Sequence, residues 1–148
     1  MLCTGNSARS QIAEALLATR GQGKVDASSA GVLPAPSVHP LALAVLREHG
    51  IEWPERAPQA VEAVATREWD YVITVCDHAR EVCPILPGQP VSLHWGMSDP
   101  ARAQGSEAER KQAFQETYDL LDSLITRFLA RSFAQSPRVT RPDEASGR

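Results

Sequence analysis

Residues 3–10 read Cys-Thr-Gly-Asn-Ser-Ala-Arg-Ser, and they restrict the possible folds of this chain more than any other stretch. A cysteine is followed by five small or polar residues, an arginine, and then an apolar-periodic helix. Short side chains let consecutive backbone N–H groups turn inward as a nest, and a helix beginning near Ser10 aims its positive end at the same point. Arg9 adds a planar, two-pronged donor suited to a tetrahedral oxyanion. A cysteine in that field is favoured as thiolate over thiol. The segment therefore reads as an anion cradle with a nucleophile at its floor. An inert buried cysteine beside a tight turn would fit the Cys-x5-Arg spacing alone, but not the presence of Gly5, Asn6, Ser7 and Ser10 as well.

The remainder of the chain must supply a scaffold for that cradle. With 148 residues it is long enough for one domain with its own core. The expected domain spans residues 1–131, and the polar, aperiodic stretch from Ser132 to Arg148 is expected to be a disordered tail. A net charge of −3 favours neither nucleic acid nor an anionic membrane as partner. No apolar run approaches membrane-spanning length, and no signal-peptide pattern opens the chain. An odd count of three cysteines argues against a secreted disulfide framework. These features place the protein in the cytoplasm, with thiols kept to react.

Periodicity divides the chain into alternating strands and helices. Ser10 is placed as the cap of a helix to about Arg20, with Ile12, Ala13, Ala15, Leu16 and Leu17 on its apolar face and Gly21 and Gly23 as its stop. Val25–Ala30 reads as a short strand ending at Gly31. A Pro-rich loop leads to a second helix over Pro40–His49, stopped by Gly50. The apolar run Tyr71–Val75 is expected to be a strand buried on both faces of a parallel sheet, with Val91–His94 a weaker strand. Glu107–Arg131 is the clearest helix, with Phe114, Tyr118, Leu121, Ile125 and Phe128 on one stripe. The order implies an α/β sandwich around a parallel sheet.

Active sites of parallel sheets lie beyond the carboxyl ends of strands. Cys76 and Cys83 follow directly on the expected buried strand, so Cys3, Cys76 and Cys83 are candidates for one sheet edge. Two thiols seven positions apart reach disulfide range if the segment between them rearranges. Other readings are two unrelated cysteines near a strand end and a zinc site of Cys76, His78, Cys83 and His94, whose spacing matches no common ligand pattern. Asp99-Pro100 leaves the other strand, where a carboxylic acid is placed to protonate a departing oxygen. Ser-Asp-Pro is also a favourable turn.

Several stretches together resemble the arsenate reductases built on the low-molecular-weight protein tyrosine phosphatase fold. They are Cys-Thr-Gly-Asn-Ser-Ala-Arg-Ser-Gln (3–11), Ser-Ala-Gly (29–31), Val-His-Pro (38–40), Val-Cys-Asp (75–77), Cys-Pro-Ile-Leu-Pro-Gly (83–88) and His-Trp-Gly-Met-Ser-Asp-Pro-Ala (94–101). The cradle alone matches phosphatases and reductases alike; the cysteine pair and the segment from His94 are specific to the reductases. The resemblance implies a three-layer sandwich, with arsenate held by Arg9 and the loop Thr4, Gly5, Asn6, Ser7, Ala8 and Ser10. It implies Cys3 as nucleophile, Asn6 as loop brace, Ser10 as hydrogen-bond partner of the thiolate and Asp99 as general acid.

The implied chemistry uses three thiols. Cys3 attacks arsenic(V) while Asp99 assists loss of oxygen as water; Cys76 then attacks the Cys3 sulfur and arsenite departs. Cys83 moves the disulfide to Cys76–Cys83, which an external thiol reduces: thioredoxin in the first place, glutaredoxin or glutathione otherwise. No bound cofactor or metal is implied, and phosphate and sulfate are the competing oxyanions. The rival enzyme reading is a tyrosine phosphatase using Cys3, Arg9 and Asp99 alone. Such phosphatases carry tyrosines after Asp-Pro, where this chain has Ala101, Arg102 and Ala103. A non-catalytic oxyanion or metal sensor is the third reading, and the intact nucleophile-plus-acid set argues against it. Two departures stand out. Residues 55–60 differ from the polar segment that holds a monovalent cation in some relatives. Only Met1 and Leu2 precede Cys3, where relatives have a longer apolar strand. The first strand is therefore expected to be truncated, leaving its neighbours with unpaired backbone groups, and a start codon is expected upstream.

Overall fold

In the computed structural model, residues 1–54 and 56–135 are described. Four parallel strands are joined by helices: β1 (Leu2–Cys3), α1 (Arg9–Arg20), β2 (Ala30–Gly31), α2 (Pro40–Glu48), α3 (Val61–Val64), β3 (Tyr71–Thr74), α4 (Asp77–Val82), β4 (Val91–His94) and α5 (Glu107–Gln135). A single 3-10 turn, Pro100–Arg102, lies between β4 and α5. The sheet order is β2-β1-β3-β4. Connections from β1 go one way to β2, and the next crossover lands β3 on the opposite side of β1. Such a point of reversal opens a crevice at the carboxyl ends of the two central strands. Cys3 ends β1 and Cys76 follows β3, so both thiols reach that crevice.

Side chains alternate across the sheet and build a core on each face. Cys3, Val75 and Cys76 pack with the apolar faces of α1, α2 and α5, including Ile12, Leu16, Leu46, Phe114, Leu121 and Ile125. Leu2, Ala30 and Val72 pack on the other side with Val61 and Val64 of α3 and with Leu86. The three-layer α/β sandwich thus forms with α1, α2, α5 and β3 where periodicity places them, whereas α3 and α4 are elements the periodicity did not announce. Within the α5 stripe Phe114, Tyr118, Leu121 and Ile125 are buried, whereas Phe128 is half-buried and forms a T-shaped ring pair with Tyr71.

Three expectations shift. The expected strand Val25–Ala30 is reduced to Ala30–Gly31, because β1 offers it only Leu2 and Cys3 as partners. Ser10 does not cap α1: the helix starts at Arg9, Ala8 occupies the cap position without a side-chain bond, and Ser10 lies inside the first turn. Helix α5 continues to Gln135, so the tail expected from Ser132 begins as helix; residues 136–148 lie outside the described residues.

Pairing between β1 and β3 is confined to Leu2↔Thr74. Beside it lies a cavity of about 670 Å³, lined among others by Met1, Leu2, Ala27, Tyr71, Ile73 and Phe128. The α-amino group of Met1 donates to the Ser28 carbonyl at 2.8 Å at the head of this cavity. Desolvation by burial lowers its pKa to about 6. An amine depressed in this way binds its proton less readily folded than unfolded, where the ordinary value is near 8. Stability of a chain carrying a free Met1 amine should therefore be fully present above pH 8 and fall between pH 8 and pH 6, by up to about 3 kcal/mol. Urea denaturation across that range measures it, and a flat profile would contradict burial of the amine.

Candidate active site

Six successive carbonyls of the cradle are committed to partners that leave the thiol side free. Cys3, Thr4, Gly5 and Ser7 accept from the amides of Val32, Leu33, Ala35 and His39 at 2.8–3.1 Å. The Asn6 carbonyl accepts from the Gln11 amide at 3.1 Å, and that of Ala8 accepts from Ile12 in α1. In a planar trans peptide the next N–H points opposite its carbonyl. Anchoring the carbonyls against residues 32–39 therefore turns the N–H groups of Thr4, Gly5, Asn6 and Ala8 to the other side. The Asn6 N–H makes this explicit, donating to the Cys3 sulfur at 3.1 Å.

Asn6 holds the turn. Its φ of +52° lies in the left-handed region, which asparagine tolerates better than most residues. Its fully buried amide donates to Ser10 Oγ at 2.8 Å and Ser29 Oγ at 2.9 Å, and accepts from the Gln59 N–H and Gln11 Nε2. Gly31 closes the cradle from behind. A Cβ there would sit 2.6 Å from the Thr4 carbonyl oxygen and 2.9 Å from the Asn6 nitrogen, so only glycine allows this approach. Gln11 in turn accepts from Trp53 Nε1 at 3.0 Å. In the segment that departs from the relatives' pattern, Arg56 pairs with the buried carboxylate of Glu14, and Gln59 donates to Ser28 Oγ and the Ser29 carbonyl.

The expected functional side chains fall around this loop. Cys3 is buried, with Ser10 Oγ 2.8 Å from its sulfur. Arg9 is buried to 9% exposure; its Nη1 donates to the Met97 carbonyl at 3.0 Å and its Nη2 lies 3.8 Å from Asp99 Oδ2. Asp99 accepts from the Ala101 N–H at 3.0 Å, capping the 3-10 turn, with its side chain 30% exposed. Its turn role and its place beside Arg9 thus coexist. Cys76 is buried, accepts from the Ala79 N–H at 3.3 Å and lies 3.2 Å from Thr4 Oγ1. Thr4 is the residue after Cys3, so the second thiol sits at the rim of the cradle. Cys83 stands apart at the far end of α4, partly exposed, with burial pushing its thiol pKa up. All three are free thiols.

The sequence reading did not find the supports: Ser29, Gln59 and Trp53, the Met97 carbonyl that holds Arg9, and the contact between Thr4 and Cys76. Ser29 and Gln11 lie inside matched stretches, so that signal was present. Met97 also lies inside one, but it acts through its backbone carbonyl, and Gln59 and Trp53 act through tertiary contacts that no local spacing announces. Among the described residues, no group of three or more His, Cys, Asp or Glu converges as metal ligands, and no helix is long and apolar enough to cross a membrane.

A family profile described as low molecular weight phosphotyrosine protein phosphatase matches residues 1–138. The chain belongs to that family. Within this phosphatase family it is similar to an arsenate reductase of Halalkalibacterium halodurans, 37% identical over 133 residues that cover 86% of this chain and 91% of that protein. Among solved structures, a thioredoxin-dependent arsenate reductase of Corynebacterium glutamicum superposes with a TM-score of 0.70 at 32% identity, covering 90% of this chain and 61% of that one. An arsenate reductase in its phosphate-binding state superposes with a TM-score of 0.71 at 26% identity, covering 88% and 94%.

Asn6→Ala should lower stability by about 2–4 kcal/mol, because it removes four side-chain hydrogen bonds and forces alanine into the left-handed region. Asn6→Gly takes that φ freely and should recover about 1 kcal/mol of the loss. Urea denaturation compares them; equal losses would show that the backbone turn contributes nothing.

Proposed function

We propose that this protein reduces arsenate to arsenite through a relay of Cys3, Cys76 and Cys83, for arsenic detoxification in the cytoplasm. The observation that carries the reading is the second thiol: Cys76 touches Thr4 at the cradle's rim, and Cys83 follows one short helix later. Ester hydrolysis has no use for either. The names of the similar proteins support the same reading.

Arsenate occupies the cradle, its oxygens bound by the loop N–H groups of residues 4–10 and by the Arg9 guanidinium. The Cys3 thiolate attacks arsenic(V), and the Asp99 carboxylic acid gives its proton to the departing oxygen, which leaves as water. The Cys76 thiolate next attacks the Cys3 sulfur. The sulfur–arsenic bond breaks with its electron pair remaining on arsenic, so arsenite leaves and a Cys3–Cys76 disulfide forms. Cys83 attacks the Cys76 sulfur, Cys3 is released as thiolate, and a Cys76–Cys83 disulfide remains. An external dithiol of the thioredoxin class takes up that disulfide and becomes oxidised in turn. Phosphate and sulfate, with the same tetrahedral shape, compete for the cradle. The chemistry requires no bound metal or organic cofactor, because both electrons come from thiols. The alternative, a phosphatase acting on aryl phosphates, lacks an aromatic platform: Ala101, Arg102 and Ala103 follow Asp99-Pro100.

Arsenate-dependent oxidation of a coupled thioredoxin system, run beside an aryl phosphatase assay, tests the roles. Cys3→Ser should abolish both activities, because a neutral hydroxyl is a poor nucleophile in this cradle. Cys76→Ser and Cys83→Ser should stop multiple turnover of arsenate while sparing residual phosphatase activity. Normal cycling of Cys83→Ser with thioredoxin would contradict the relay. Asp99→Asn should lower turnover by roughly 10²–10⁴-fold; unchanged turnover would reduce Asp99 to its turn.

A further inference from the structure

Helix α4 separates the two relay thiols. Cys76 caps its start and Cys83 follows its end, seven positions on. At 1.5 Å per residue a helix holds such a pair about 10 Å apart, whereas a disulfide needs Cα atoms within roughly 7 Å. The Cys76–Cys83 bond therefore forms only when α4 unwinds, and whatever holds α4 folded opposes that bond.

One end of α4 is held from outside. His94, the last residue of β4, lies with Nε2 2.8 Å from Asp77 Oδ1, and Asp77 is the first residue of α4. The opposite ring nitrogen, Nδ1, is 2.7 Å from Thr74 Oγ1 at the end of β3. A carboxylate only accepts, so Nε2 carries the proton toward Asp77. The chain Thr74–His94–Asp77 thus ties α4 to the ends of two adjacent strands. Gly96 leaves room for it: a Cβ there would lie 2.9 Å from His94 Nε2 and 3.2 Å from Asp77 Oδ1. Among the described residues the other end has no comparable hydrogen-bonded tie, only the packing of Cys83 against the core of Leu2, Val72 and Leu86. The Cys83 thiol donates to the carbonyl of its neighbour Pro84 at 3.5 Å, and Val82 and Ile85 are exposed.

We propose that Asp77 and His94 are positioning residues that clamp the start of α4 to β4, keeping Cys76 at the cradle and disfavouring the Cys76–Cys83 disulfide. This rests on the relay proposed above. In the relay, the clamp keeps Cys76 beside Cys3 for the first disulfide and has to release as α4 unwinds to bring Cys83 to Cys76.

The test uses the full chain carrying Cys3→Ser, so that Cys76 and Cys83 are the only thiols able to pair. Glutathione buffers set the balance: two thiols lose two electrons and two protons to form the bond, and one glutathione disulfide becomes two glutathione thiols. Trapping with a thiol-alkylating reagent and mass analysis give the fraction oxidised. Asp77→Asn and His94→Gln should each raise the disulfide equilibrium constant about two- to five-fold, the range for one exposed polar contact of this kind. Asp77→Glu, which keeps the carboxylate, should return the value toward the parent. Gly96→Ala, which wedges the pair apart from a third segment, should act like Asp77→Asn. Circular dichroism confirms that each variant is folded. An unchanged or lowered constant in the folded variants, or no recovery with Asp77→Glu, would overturn the clamp. The relay fails by a different sign: the parent with all three cysteines would not turn arsenate over, while the glutathione equilibrium would still respond to Asp77→Asn.

Discussion

Every feature of the site depends on where the carbonyls of residues 3–8 are bound. Four are taken by backbone amides between Val32 and His39, one by Gln11 and one by the first turn of α1. A loop of small residues without those commitments would turn carbonyls and amides in both directions and offer no net positive site. With them, planar peptide geometry leaves the amides on the thiol side. Gly31 makes this possible by bringing the second strand within contact of the loop, and Asn6 bends the chain through a left-handed residue while filling all its own hydrogen-bonding capacity. The anion preference proposed for the cradle is therefore a property of backbone direction, and Arg9 and the helix end add to a field already set.

The sheet topology supplies the second requirement. A chain that leaves β1 to one side and returns with β3 on the other places two strand ends side by side. The register Leu2↔Thr74 brings the residues that follow, Cys3-Thr4 and Val75-Cys76, to one edge. The contact between Thr4 and the Cys76 thiol follows directly. In the proposed reaction this adjacency is what allows a second thiol to reach the first without a large movement of the core. Cys83 has no such place and depends on α4 giving way.

Much of this was legible in the sequence because it is local or periodic. Val91–His94 emerged with its expected bounds, Tyr71–Thr74 lost only its last residue, and α5 kept its stripe while running four residues beyond Arg131. Ser10 was misplaced for a physical reason: a serine at a helix start is usually a cap, yet here its hydroxyl is drawn inward to Cys3 and Asn6. Val25–Ser29 holds one strong strand former, Val25, beside Asp26, Ala27 and two serines, and only Ala30 and Gly31 find a ladder to join. The bracing by Gln59 and Trp53 and the tie from Thr74 through His94 to Asp77 join residues far apart in sequence. Without the fold, nothing in their spacing marks them as partners.

The central claim is that three thiols act in order at one oxyanion cradle. Fully reduced protein should be mixed with one equivalent of arsenate in the absence of any other thiol, quenched by alkylation and mapped by peptide mass analysis. The account predicts one equivalent of arsenite, a Cys76–Cys83 disulfide and an alkylated, free Cys3. Three alkylated cysteines with arsenate unconsumed, or a disulfide that leaves Cys76 free, would contradict it.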